Sequence, residues 1–156
     1  MAWNSLRNNR ALPVINAQGG GDVITLPNGT VTLIPMVRSY LCTDNLFSIT
    51  ESGAIRIAKP GKYAFSAGAY YSGSDGSRGL DLAYTETFGA TTNLTRLYAA
   101  MYQNNTGGSM GHSLPMKIIN ITNPCDIYLR AWANGATGYC YPNNTATFVN
   151  IIRVAN

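Results

Sequence analysis

Charge is scarce in this chain: Asp, Glu, Lys and Arg together make 12% of its 156 residues, about half the usual share. The formal net charge is +4, yet Arg38, Arg56, Lys59, Lys62, Arg78, Arg96, Lys117, Arg130 and Arg153 are scattered and form no stripe. Nucleic acid is therefore not an expected partner. One histidine, His112, and three cysteines without CxxC spacing, Cys42, Cys125 and Cys140, leave little material for a metal centre or a Cys–His nucleophile. No stretch of about 18 apolar residues suggests a membrane span. Met1 to Ile15 has no apolar region of signal-peptide length, so neither membrane insertion nor secretion is expected. Helical periodicity, heptads, collagen-like triplets and internal repeats are missing too.

Asn, Thr, Gly, Ser and Tyr fill the space that charge leaves, giving a polar but barely ionic surface that suits extracellular particles and durable assemblies. A hydrophobic content of 46% is enough for the core of one domain. An odd cysteine count argues for reduced thiols made in a cytoplasm, with a Cys125–Cys140 bridge as the alternative. Sequons at Asn28, Asn93, Asn104, Asn120 and Asn143 follow from the Asn/Thr richness.

The hydrophobic pattern has a period of two. Val23 to Leu26 and Thr30 to Val37 flank a Pro27-Asn28-Gly29 turn, and Phe47 to Thr50 and Ala54 to Ala58 continue the β pattern. After the Pro60-Gly61 turn, Lys62 to Tyr71 puts Tyr63, Phe65, Ala67, Ala69 and Tyr71 on one face, able to fill a core. Ala64, Ser66, Gly68 and Tyr70 form the other face, small enough for a neighbour to approach. SGSDGSRG reads as a loop, and Leu80 to Thr87, Leu94 to Tyr102, Pro115 to Ile121, Asp126 to Ala133 and Ala146 to Val154 as strands. About eight to ten strands at this spacing predict an antiparallel sandwich or jelly roll over residues 22–156. Residues 1–21, ending in Gly19-Gly20-Gly21, read as an extended arm outside it.

Gly53, Ile55, Gly61, Tyr63, Phe65 and Ser66 stand in a spacing that resembles the G-x-F/I-x-x-x-x-x-G-x-Y-x-F-S run of the C1q/TNF-like jelly rolls. Ile119 to Gly135 is similar to that family's L-x-x-G-D-x-V-x-L strand, and TATFVNIIRVAN to its closing F-x-G-F-L-L-Y strand. Pro124-Cys125 replaces the usual Gly before Asp126, and Asn150 the closing Gly. The resemblance, over Val31 to Val154, implies an all-β jelly roll that assembles as a homotrimer. It also implies that the strand around Tyr128, Arg130 and Trp132 lines the threefold axis. Two aromatics and an Arg on one outward face are residue types enriched at interfaces, and Tyr70 is added to that expected surface.

Asp75 with Asp81 is the best candidate for a calcium loop, but the spacing lacks the EF-hand pattern and an Asx turn explains it better, so no metal site is expected. No cofactor is expected. The seven acids are dispersed, so no enzyme is read from them. The expected function is that of a virion structural protein: a trimeric bacteriophage capsid decoration or head-fibre-type appendage, made in the host cytoplasm and released by lysis. The arm would dock it to capsid or tail proteins through Trp3, Leu6, Arg7, Arg10 and Leu12. A receptor-binding tip is the first alternative, with Tyr70, Tyr71, Tyr98, Tyr102, Tyr139 and Tyr141 stacking on a host-surface glycan. A TNF/C1q-like signalling ligand is the second.

Overall fold

A computed structural model describes residues 12–42, 45–73, 76–104 and 108–155. The described residues form strands and no helix. In chain order the strands are β1 (Val14–Gly19), β2 (Ile24–Leu26), β3 (Val31–Ile34), β4 (Met36–Cys42), β5 (Phe47–Ile49), β6 (Ile55–Ile57) and β7 (Gly61–Gly73). They continue with β8 (Gly76–Thr85), β9 (Thr95–Asn104), β10 (Met110–Ile121), β11 (Cys125–Asn134), β12 (Gly138–Cys140) and β13 (Phe148–Ala155). Sheet I is ordered β2-β12-β7-β13-β1-β4, with β10 along the other edge of β7. Sheet II is ordered β5-β6-β11-β8-β9, with β3 beside β11. All strand pairings within the two sheets are antiparallel.

The core lies between the sheets and is filled by the alternation that the sequence displays. Tyr63, Phe65, Ala67, Ala69 and Tyr71 of β7 are all buried in it, facing Ile127, Leu129, Ala131 and Ala133 of β11 and Leu80 and Leu82 of β8. Phe47 meets Tyr63 edge-on with ring centres 6.1 Å apart, a favoured aromatic geometry. The core also takes the polar ends of its tyrosines. Tyr71 donates from its hydroxyl to Gly79 O at 3.1 Å, and Tyr98 to Phe65 O at 3.0 Å. Burial pushes the Tyr98 hydroxyl well above the ordinary tyrosine range.

Three expectations need correction. Residues 14–19 are not an arm: β1 is inserted between β13 and β4, with Ile15 and Ala17 in the core. Its short buried side chains alternate with Asn16 and Gln18, which hid a strand in a polar segment. The segment read as one strand from Thr30 to Val37 is two. Pro35 separates β3 from β4, and the two join different sheets. The SGSDGSRG segment is largely strand, because β7 reaches Gly73 and β8 begins at Gly76. The Pro27-Asn28-Gly29 turn is present, closed by Thr30 N donating to Pro27 O at 3.1 Å, with Gly29 at φ +74° where a side chain would be strained.

Candidate functional site

Outward positions on sheet II carry a charged network that the chain completes by itself. Asp81 of β8 is fully buried, and the register sets Arg130 of β11 directly opposite. Arg130 donates from Nε to Oδ1 at 2.7 Å and from Nη2 to Oδ2 at 2.8 Å, while Arg96 of β9 donates from Nε to Oδ2 at 2.7 Å. Asp126, also fully buried, is clamped by Arg56 of β6 at 2.8 and 3.0 Å and accepts Gly89 N–H at 2.8 Å. Arg56 in turn lies 4.1 Å over the ring of Phe88, and its bond to Asp126 raises its affinity for its proton. Both acids obey the rule that a buried charge is paired and hydrogen-bonded.

This network takes up one of the two weak metal candidates. Asp81 spends its oxygens on two guanidiniums, and Asp75 lies outside the described residues. Among the described residues no group of three or more His, Cys, Asp or Glu side chains converges. The aromatic expectation changes as well. Tyr128 keeps only 2% of its surface exposed, and its hydroxyl is 2.9 Å from Ser52 Oγ, so the single chain already covers it. Arg130 is committed to Asp81. Trp132 stays partly open, its indole lying across Gly79, where a Cβ would fall inside the ring. Tyr70 belongs to sheet I, with its ring 5.8 Å from that of Tyr141, and shares no surface with the other three.

Outward positions on sheet I are uncharged along its centre. Asn16 and Gln18 of β1, Tyr40 of β4, Phe148 and Asn150 of β13 and the nearby Thr145 line a shallow groove of about 290 Å³. Gln18 is only 4% exposed. Its Nε2 donates to Asn143 O at 3.4 Å, and its Oε1 is buried without a partner. Asn150 repeats the arrangement: Nδ2 donates to Ser66 Oγ at 3.4 Å, and Oδ1 is buried and unpartnered. Both oxygens are already shut off from solvent within the single chain, and beside them Tyr40 stands 65% exposed, an aromatic of the kind enriched where surfaces are covered. Sequence reading missed this groove; the signal was the alternation Asn16, Gln18 within β1.

The sugar-stacking tyrosines are mostly packing residues. Tyr71 is fully buried, Tyr70, Tyr98 and Tyr141 are half-buried, Tyr139 is exposed, and the Tyr102 side chain lies outside the described residues. Of the docking residues, Leu12 is exposed, while Trp3, Leu6, Arg7 and Arg10 lie outside the described residues. None of the three cysteines is in a disulfide. Burial pushes the thiols of Cys125 and Cys140 up to about 12, and Cys42 is exposed, its Sγ 3.6 Å from Phe47 O. His112 packs against Tyr71 at 5.5 Å, and burial lowers its pKa.

No protein-family model and no curated protein matches the sequence. Solved structures do match the fold. Murine APRIL superposes with a TM-score of 0.69 over 92% of this chain and 99% of its own, at 10% identity. Eiger TNF from S. frugiperda gives 0.70 over 93% and 94%, also at 10% identity. The fold is a C1q/TNF-like jelly roll. At such identity the likeness concerns architecture, and it carries no residue's role across.

Proposed function

We propose that the protein is a non-enzymatic homotrimer whose subunits meet through the outward face of sheet I. The observation that carries this reading is the uncharged groove in which Tyr40 stays 65% exposed above the unpartnered Oε1 of Gln18 and Oδ1 of Asn150. A like chain placed there would remove aromatic surface from water and, as the groove lining shifts to admit it, supply donors to the two oxygens. Light scattering tests it: a species of three times 16.8 kDa is expected, and a stable monomer at micromolar concentration overturns it.

Within that reading the trimer serves as an exterior part of a virus particle, a capsid decoration or head-fibre-type appendage. The low charge, the Asn- and Thr-rich surface and the free thiols support it. Docking to capsid or tail proteins falls to residues 1–11 with Leu12, since β1 belongs to the sandwich. Removing residues 1–11 should abolish incorporation into particles and leave the trimer assembled; retained incorporation overturns that docking role. The near-complete superposition on APRIL and Eiger TNF favours a second reading, an extracellular signalling ligand. Mass spectrometry of purified particles separates the two, because a ligand would be missing from them.

A further inference from the structure

We propose that the outward face of sheet II holds a saccharide site for a carboxylated pyranose, with Trp132 as its floor and Arg96 as its charged rim. Register puts Val31, Trp132, Gly79 and Met101 in one row across β3, β11, β8 and β9. Because Gly79 has no side chain, the indole lies flat on the sheet instead of standing off it. Val31 and Met101 extend this apolar floor and stay 47% and 67% exposed. Above it opens a shallow groove of about 400 Å³ lined by Gly29, Val31, Arg96, Trp132 and Asn134. A flat aromatic floor with a few polar groups at its rim matches the C–H face of a sugar ring and the hydroxyls around its edge.

Charge decides which sugar. Arg96 and Arg130 share the single carboxylate of Asp81, so the cluster keeps one uncompensated positive charge. Arg96 carries it outward: its guanidinium is 5.5 Å from the indole centre and 54% exposed. Its Nε is spent on Asp81, and its terminal nitrogens have no acceptor among the described residues. A carboxylate on a ring stacked over Trp132 can accept from them in the bidentate manner that guanidinium favours. Asn134, exposed on the same rim, offers an amide to the hydroxyls.

The site lies on the sheet opposite the proposed assembly face, so the inference does not rest on the trimer. A monomer that binds the sugar would refute assembly and leave the site standing. The test uses the full chain carrying Trp3→Phe, which leaves Trp132 as the sole indole. Its ¹H–¹⁵N resonance is followed during titration with glucuronic acid, N-acetylneuraminic acid and glucose. Saturable shifts are expected with the acidic sugars and much weaker ones with glucose. Arg96→Gln should weaken the acidic sugars about tenfold, the scale of one charge-assisted hydrogen bond, and leave glucose unchanged. Trp132→Phe, which keeps a ring over Gly79 and, having no indole, is followed by titration calorimetry beside the parent chain, should weaken all three. No shift with any sugar, equal response to glucose, or indifference to Arg96→Gln overturns the proposal.

Discussion

Outward positions of sheet II bury two carboxylates, Asp81 and Asp126, and hold each with arginine from a neighbouring strand. Those of sheet I bury two neutral amides, Gln18 and Asn150, and leave an acceptor unpartnered on each. The contrast follows from what each group costs when it loses water. An unpaired buried charge is prohibitive in any state of the chain, so its partner must be present in the same subunit before assembly. An unpartnered amide oxygen costs about 1–3 kcal/mol, a penalty that a folded subunit can carry until another surface relieves it. On the proposed reading, the face that is finished alone meets solvent and the unfinished face is the one that is covered.

The largest expected effect tests whether sheet I contains its N-terminal strand. Deleting residues 1–21 removes β1 from between β13 and β4 and takes Ile15 and Ala17 from the core. Loss of the cooperative thermal transition by circular dichroism is expected. An unchanged melting temperature would show that sheet I closes without β1 and would return those residues to the role of an arm.

Asp81→Asn comes next, on the other face. Arg130 is only 14% exposed, and without the carboxylate its charge stays buried and unmatched. A loss of about 3 kcal/mol is expected in urea denaturation, the lower end for breaking a buried pair. A change below about 1 kcal/mol would mean that Arg130 escapes to water, and that sheet II is no more self-sufficient than sheet I.

The buried thiols probe the seam between the sheets, since Cys125 belongs to β11 and Cys140 to β12. Both thiols have folded pKa values raised to about 12 from 9.0, so the folded chain holds their protons more tightly than the unfolded one. Their contribution is complete below about pH 9 and is lost as pH rises from there toward 12. Native labelling should modify Cys42 alone, and labelling in denaturant should modify Cys42, Cys125 and Cys140. Native reaction of Cys125 or Cys140 would show that the seam opens.

How much of this was legible depended on whether one strand carried its own signal. β7 did, with five large or small apolar residues alternating over its length, and so did the core face of β11. β1 and β12 did not. VINAQG alternates apolar with amide over few residues, and GYC is too short to show any period. The Asp81–Arg130 pair was illegible for a different reason: 49 residues separate its members, and only the β8–β11 register brings them opposite. Tyr128, Arg130 and Trp132 were correctly placed on one outward face. What one strand could not show was that Ser52, Asp81 and Gly79 wait beneath them. Sequence alternation reports which side a residue faces; the neighbours on that side come from long-range pairing.

The smallest effect is also the sharpest test of the contrast. Gln18→Met keeps the length of the side chain, gives up one long hydrogen bond to Asn143 O at 3.4 Å, and removes the unpartnered Oε1. Losing a weak bond and losing an unsatisfied acceptor act in opposite directions. The isolated subunit, diluted until light scattering shows monomer, should therefore change in stability by no more than about 0.5 kcal/mol. Assembly should weaken, because the donor that a neighbour brings to Oε1 is left without its acceptor. The same substitution thus separates two meanings of a buried amide. If the monomer loses about 2 kcal/mol or more, on the scale of a buried polar group losing its partner, then Gln18 is satisfied within its own chain. Sheet I would then be as complete as sheet II. If the monomer is unchanged and the trimer weakens, the unpartnered acceptor belongs to the assembly.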